Sequence, residues 1–156
     1  VEVAEDLPTV DVVVVPIGGG GLIGGTAVAA KHLLPGVRVI GVETESANDA
    51  QRSFRSKQIV KIDPPATIAD GMRTQAVGKR NFEILLRYVD DVVTVTDEEV
   101  MDMMRFLLLL MKILAEPTGA VAPAAVFHRK LGIEGKRVCA FISGGNVEPA
   151  FLKSIL

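Results

Sequence analysis

Apolar residues come in short blocks whose period changes along the chain. Val10-Asp11-Val12-Val13-Val14-Val15 is nearly continuous and β-branched, as in a strand buried on both faces. The alanine-rich run from Thr26 predicts a helix over Leu22 to Leu34, stopped by Pro35-Gly36. Val37 to Glu43 predicts a second strand and closes a βαβ unit. A loop then feeds a short helix to Ser56, Lys79 to Tyr88 predicts another helix, and Asp91 to Val95 a third strand. Thr96-Asp97-Glu98-Glu99 matches a capping box opening a helix to about Leu114. Its second half is apolar on nearly every side, which predicts thorough burial. Glu116-Pro117-Thr118-Gly119-Ala120 breaks that helix, Val121 to Lys130 reads as the next, and Arg137 to Ile142 as a fourth strand. Val1 to Pro8 reads as a helix tail or a linker. Ile59 to Gly78 holds no period, and so long an irregular stretch inside a compact domain is expected to be a functional loop. Strands alternating with helices predict an α/β fold, a three-layer αβα sandwich on a mostly parallel sheet.

Composition narrows this picture. The 156 residues, 1–156, suit a single domain with a substantial core, and the hydrophobic fraction of 49% suits a buried parallel sheet. With 17 basic and 19 acidic residues the net charge is −2, which gives no reason to expect nucleic acid or an anionic membrane as partner. Tryptophan is absent and aromatics are 4%, so surfaces for stacking bases or sugars are not expected. Cys139 is the single cysteine, which excludes an intrachain disulfide, and it reads as a small buried strand residue. No signal peptide or spanning segment is recognisable, so the expected location is cytoplasmic. The chain opens on Val1 in mid-flow, as a piece of something longer would.

Candidate chemistry centres on Pro16-Ile17-Gly18-Gly19-Gly20-Gly21-Leu22-Ile23-Gly24-Gly25, between the first strand and the first helix. Four consecutive glycines can turn their N–H groups onto an anion, backed by the free donors of the next helix's first turn. We read this as a phosphate cradle. A dinucleotide is one candidate: Gly19-Gly20-Gly21-Leu22-Ile23-Gly24 fits G-x-G-x-x-G, and Glu43 follows nineteen residues after Gly24 to meet a ribose hydroxyl. The other is a cofactor with one phosphate and an aromatic ring. Ligands of open α/β sheets bind beyond the carboxyl ends of strands, where a second glycine turn, Ser143-Gly144-Gly145-Asn146, also falls. His32 and His128 read as partly exposed helix residues, and Arg52, Arg55 and Lys57 as a solvated face.

Four segments together, Val15 to Leu22, Ala69-Asp70-Gly71, Glu116 to Ala120 and Ser143 to Asn146, resemble the fold type II pyridoxal-phosphate enzymes. The closest likeness is to the threonine dehydratase and serine racemase branch. The resemblance covers nearly the whole chain with the motifs in family order. It implies that Gly18, Gly19, Gly20, Gly21 and Leu22 bind the cofactor phosphate. Ser143, with Gly144 beside it, would hydrogen-bond the pyridine nitrogen; a neutral hydroxyl there favours β-elimination. Asp70 and Gly71 would lie beside the ring, and Glu116 would help set local protonation. The family also implies a cation site for Mg²⁺ or Ca²⁺ from Glu43, the Ala47 carbonyl and Asp49; all-oxygen ligands suit these ions, and a solvated acidic loop is the plainer reading of the same residues.

The resemblance also says what to look for elsewhere. The family's catalytic lysine forms a Schiff base with the cofactor. None of the eight lysines here lies in the Ser-x-Lys-x-Arg-Gly-like setting the family uses. That segment and the smaller domain belong to the family's N-terminal half. The chain is therefore expected to be the C-terminal part of the large cofactor-binding domain, inactive alone, with no catalytic residue of its own. Its expected partners are the missing half, a small amino-acid substrate and further copies in an oligomer. The resemblance implies a threonine/serine dehydratase (ammonia-lyase) as the parent protein, with serine racemase of the same family as the alternative.

Overall fold

The computed structural model describes residues 1–156. Four parallel strands form one sheet: β1 (Val12–Pro16), β2 (Arg38–Thr44), β3 (Asp91–Val95) and β4 (Val138–Ala140), in the order β3-β2-β1-β4. Val12 to Pro16 are all buried, and their alternation divides the core. Val12 and Val14 face one apolar cluster, Val13 and Val15 the other. On the Val13 side lie α1 (Glu2–Asp6), α2 (Gly21–Leu33), α3 (Asp49–Ser56) and α4 (Lys79–Tyr88). On the Val12 side lie α5 (Asp97–Phe106), α6 (Pro117–Phe127) and α7 (Pro149–Ile155). The three-layer sandwich is thus as expected, with every strand pair parallel.

Several elements depart from the sequence pattern for definable reasons. The break at Glu116-Pro117 is a helix start: Pro117 occupies the first turn of α6, where its missing N–H costs nothing, and Glu116 is the N-cap. That helix is buried all round by small residues from Gly119 to Ala125, which let it lie close on the sheet. The helix expected to reach Leu114 is α-helical to Phe106, widens into a π turn over Leu107–Met111 and ends at Lys112, φ 61°. Nor is its second half buried: Leu109, Leu110, Met111 and Leu114 are exposed. The rest of the chain covers only one side of this segment, with Leu107 buried and the outer apolar side chains left exposed. β4 is shorter than expected and lies at the sheet edge, so Cys139 is half-buried rather than enclosed, and burial pushes its thiol up. The closing helix α7 went unforeseen.

The irregular stretch before α4 is held in place rather than loose. Asp97 accepts from Thr67 Oγ1 at 2.8 Å and from the Ile68 amide at 3.1 Å, while Arg73 donates twice to the Thr67 carbonyl. These bonds bring a short 3₁₀ turn, Asp70–Met72, up to α6.

Candidate functional site

At the carboxyl end of β1 the chain turns through Gly18 to Gly21 into α2. Gly20 takes φ +88°, a left-handed conformation that favours glycine. The Gly19 carbonyl accepts from Asn81 Nδ2 at 2.7 Å and from the Gly78 amide at 3.1 Å. Since C=O and N–H lie on opposite edges of a trans peptide, this points the Gly20 N–H away from α4. The amides of Gly18, Gly19 and Gly20 have no protein acceptor, and the first helical bond runs from Gly24 N to Gly20 O. The loop and the first turn of α2 therefore present a set of free donors at the positive end of a helix.

Close approaches of backbone tie this loop to the other three segments. A Cβ on Gly18 would run into the Gly71 carbonyl. One on Gly71 would stand 2.8 Å from the Thr118 side chain, whose Oγ1 accepts from the Gly71 amide at 3.0 Å. A Cβ on Gly119 would meet the Gly144 carbonyl, and one on Gly144 the Glu116 carboxylate. The Glu116 amide donates to Gly144 O, and Glu116 Oε2 accepts from the Asn146 amide, both at 3.0 Å. Gly18, Gly71, Glu116 and Gly144 are thus brought into one line across the end of the sheet, with the first turns of α2 and α6 facing it. Asp70, in ion-pair contact with Arg73 at 3.1 Å, borders a cavity of about 320 Å³ together with Pro117 and Asn146. Ser143 and Leu22 are exposed at the same end of the sheet.

The glycines divide into two kinds. Gly18, Gly71, Gly119 and Gly144 are needed for packing, because a side chain at any of them would strike the neighbouring loop. At Gly19 and Gly21 a Cβ would meet nothing within 4 Å, and neither has positive φ. Packing does not explain these two. An open cradle over free amides fits a bound phosphate.

Glu43 and Asp49 come together elsewhere, at the end of β2. Both are fully buried. Glu43 accepts from the amides of Ala50 at 3.1 Å and Gln51 at 2.8 Å, capping the first turn of α3. Burial pushes its carboxyl up to about 8; the Gln51 amide opposes this and Asp49 reinforces it. Burial likewise raises Asp49 to about 6, although its own amide and that of Val77 point towards it. Neither amide reaches hydrogen-bond geometry, and both Asp49 carboxylate oxygens lack a partner. Ala47 is buried in the intervening turn, and no third acid, histidine or cysteine joins the pair. A cation would supply the missing partner at Asp49, whereas both Glu43 oxygens already accept backbone amides. The same geometry counts against a dinucleotide, because Glu43 is turned inward onto α3 and is not free to meet a ribose.

Some contributors had little or no sequence signal. Thr118 lies inside a singled-out motif but takes its role from contact with Gly71. Asn81 and Asp97 lie on helices far from the glycines in sequence; Asp97 falls within the capping-box motif, but nothing local marks its bonds to Thr67 and Ile68.

The family model of pyridoxal-phosphate dependent enzymes matches residues 1–144. The chain belongs to this family. Serine racemase of Schizosaccharomyces pombe is 47% identical over 147 residues, 94% of this chain and 46% of that protein. L-threonine ammonia-lyase of Thermotoga maritima is 44% identical over 155 residues, 99% of this chain and 38% of that protein. Among solved structures, maize serine racemase superposes with a TM-score of 0.90 at 34% identity, over 98% of this chain and 48% of that one. The chain spans less than half the length of these relatives. In this pyridoxal-phosphate family member, the open cradle and the line of loops behind it lie at one end of one sheet.

Proposed function

We propose that the chain is the C-terminal part of the large cofactor-binding domain of a threonine/serine ammonia-lyase. The reaction removes the α-proton and the β-hydroxyl of the amino acid as water, and hydrolysis then gives a 2-oxo acid and ammonia. The observation that supports this is the cradle of unpaired amides at Gly18 to Gly20, with Gly71, Glu116 and Gly144 following in one line across the same sheet end. Bound pyridoxal phosphate supplies the electron-withdrawing ring and aldehyde that stabilise negative charge at the substrate α-carbon. Gly18, Gly19, Gly20, Gly21 and Leu22 bind the phosphate through their amides. Ser143 hydrogen-bonds the ring nitrogen without charging it, which favours prompt loss of a β-hydroxyl. Gly144 keeps that segment close to Glu116, whose carboxylate is held by the Asn146 amide and sets local protonation. Asp70 and Gly71 border the substrate.

The lysine that holds the aldehyde is assigned to the other half of the parent protein, so this half alone does not turn over. Racemisation of serine is the alternative, supported by the 47% identity to a serine racemase. We also propose that Glu43, the Ala47 carbonyl and Asp49 bind Mg²⁺ or Ca²⁺, supported by the two partnerless Asp49 oxygens. The cytoplasm is the proposed location.

The test is to co-express the two halves of the parent protein, add pyridoxal phosphate and assay 2-oxo acid from threonine and serine. Turnover by the pair, absent from either half, supports the proposal. Racemisation without elimination selects the alternative, and neither activity in a complex that binds the cofactor contradicts both.

A further inference from the structure

The peptide between Gly19 and Gly20 joins two residues without side chains, so nothing within the loop decides which way it faces. Turned over by half a circle, it would carry Gly20 from φ +88° to negative φ, where glycine is equally at ease. The turned form would put the Gly19 carbonyl oxygen where the Gly20 N–H now points, into the cradle. A carbonyl there repels a phosphate, whereas an N–H binds it. The choice falls to groups outside the loop.

Two donors at the start of α4 make it. The Gly19 carbonyl accepts from the amide of Gly78, the N-cap of α4, at 3.1 Å and from Asn81 Nδ2 at 2.7 Å. Asn81 is the third residue of the helix, a position from which a side chain commonly turns back to the amide of its own N-cap. Here that amide is given to Gly19, no side chain caps α4, and the Asn81 amide group goes to the same carbonyl. The loop is shaped to receive it. A Cβ on Gly20 would stand 2.9 Å from Asn81 Cβ, and one on Gly78 would stand 3.1 Å from Asn81 Nδ2. Glycine at both positions lets the Asn81 side chain lie against the cradle. The Gly78 amide alone would satisfy the carbonyl, so what the second bond adds is orientation.

We propose that Asn81 is a positioning residue for phosphate binding, holding the Gly19–Gly20 peptide with its N–H turned into the cradle. It acts through that peptide rather than on the cofactor. The proposal rests on the reading of Gly18 to Leu22 as the phosphate site. Its effect is confined to the phosphate, because the Asn81 side chain bonds to none of Gly71, Glu116 or Ser143 on the ring side.

The test uses the parent protein freed of cofactor, titrated with pyridoxal phosphate and with pyridoxal, which keeps the ring and aldehyde but lacks the phosphate. Wild type should prefer pyridoxal phosphate. Asn81→Leu keeps the approximate shape and removes the donor. It should weaken pyridoxal-phosphate binding about fivefold or more and leave pyridoxal binding within about twofold, with circular dichroism unchanged. If Asn81→Leu fails to fold, Asn81→Ala gives the same reading. Equal weakening of both aldehydes, or of neither, overturns the proposal, as does failure of both variants to fold. A wild type that binds pyridoxal as tightly as pyridoxal phosphate overturns the phosphate reading of the loop itself, and the proposal with it.

Discussion

Gly18 and Gly19 are neighbours with different reasons to be glycine, and the difference is measurable. Gly18→Ala drives a methyl group into the Gly71 carbonyl and should cost about 1–3 kcal/mol of stability in denaturant unfolding. Gly19→Ala has open space and an ordinary backbone, so stability should stay within about 0.5 kcal/mol of the parent. It should nevertheless weaken pyridoxal-phosphate binding about tenfold or more in a spectroscopic titration, because the added methyl stands where the phosphate approaches. Unchanged affinity would place the phosphate elsewhere. Asp49 offers a second test at this scale. Mg²⁺ or Ca²⁺ should raise the melting temperature of the wild-type chain, and Asp49→Asn should abolish that response. An equal cation response in the variant would remove Asp49 from the site.

Among the elements, α5 shows how local chemistry fixes a boundary. The capping box is formed as its sequence predicts, with the Thr96 hydroxyl accepting from Glu99 N and Glu99 accepting from Thr96 N. Desolvation pushes the Glu99 carboxyl up, but Lys130 at 2.6 Å and the Thr96 amide outweigh it, leaving it below its ordinary value. A lowered folded value means that the contribution is complete above the unfolded value, about 4.5, and is lost as pH falls through the folded one. Glu99→Gln should therefore cost about 1 kcal/mol near neutral pH, and the gap to wild type should close in acid. A gap independent of pH would assign the loss to geometry rather than charge. The capping box, the βαβ unit and the glycine turns were legible because their signals are local. The start of α6 was misread because proline looks like a break unless the preceding Glu116 is recognised as a cap. The stretch Leu109 to Met111 was misread because apolar residues on every side of a helix do not say which sides the fold covers, and here only the Leu107 side is buried. Asn81 and Asp97 escaped notice because their contacts with Gly19 and Thr67 exist only after folding.

For the whole molecule, one sheet end gathers the cradle and the three loops behind it, while β4 forms a sheet edge and the outer α5–α6 face carries exposed apolar side chains. The chain spans less than half the length of the curated relatives it matches, and the proposed function gives it the phosphate side of the cofactor site and assigns the lysine to the other half. Lys31 and Lys130 are already engaged in ion pairs with Asp90 and Glu99, and Lys112 is turned onto a carbonyl. Borohydride reduction of this chain with pyridoxal phosphate, followed by mass spectrometry of its eight lysines, tests that division most directly. We expect the cofactor to bind and raise the melting temperature, with no single lysine labelled stoichiometrically. A stoichiometric adduct on one lysine of this chain would contradict the account.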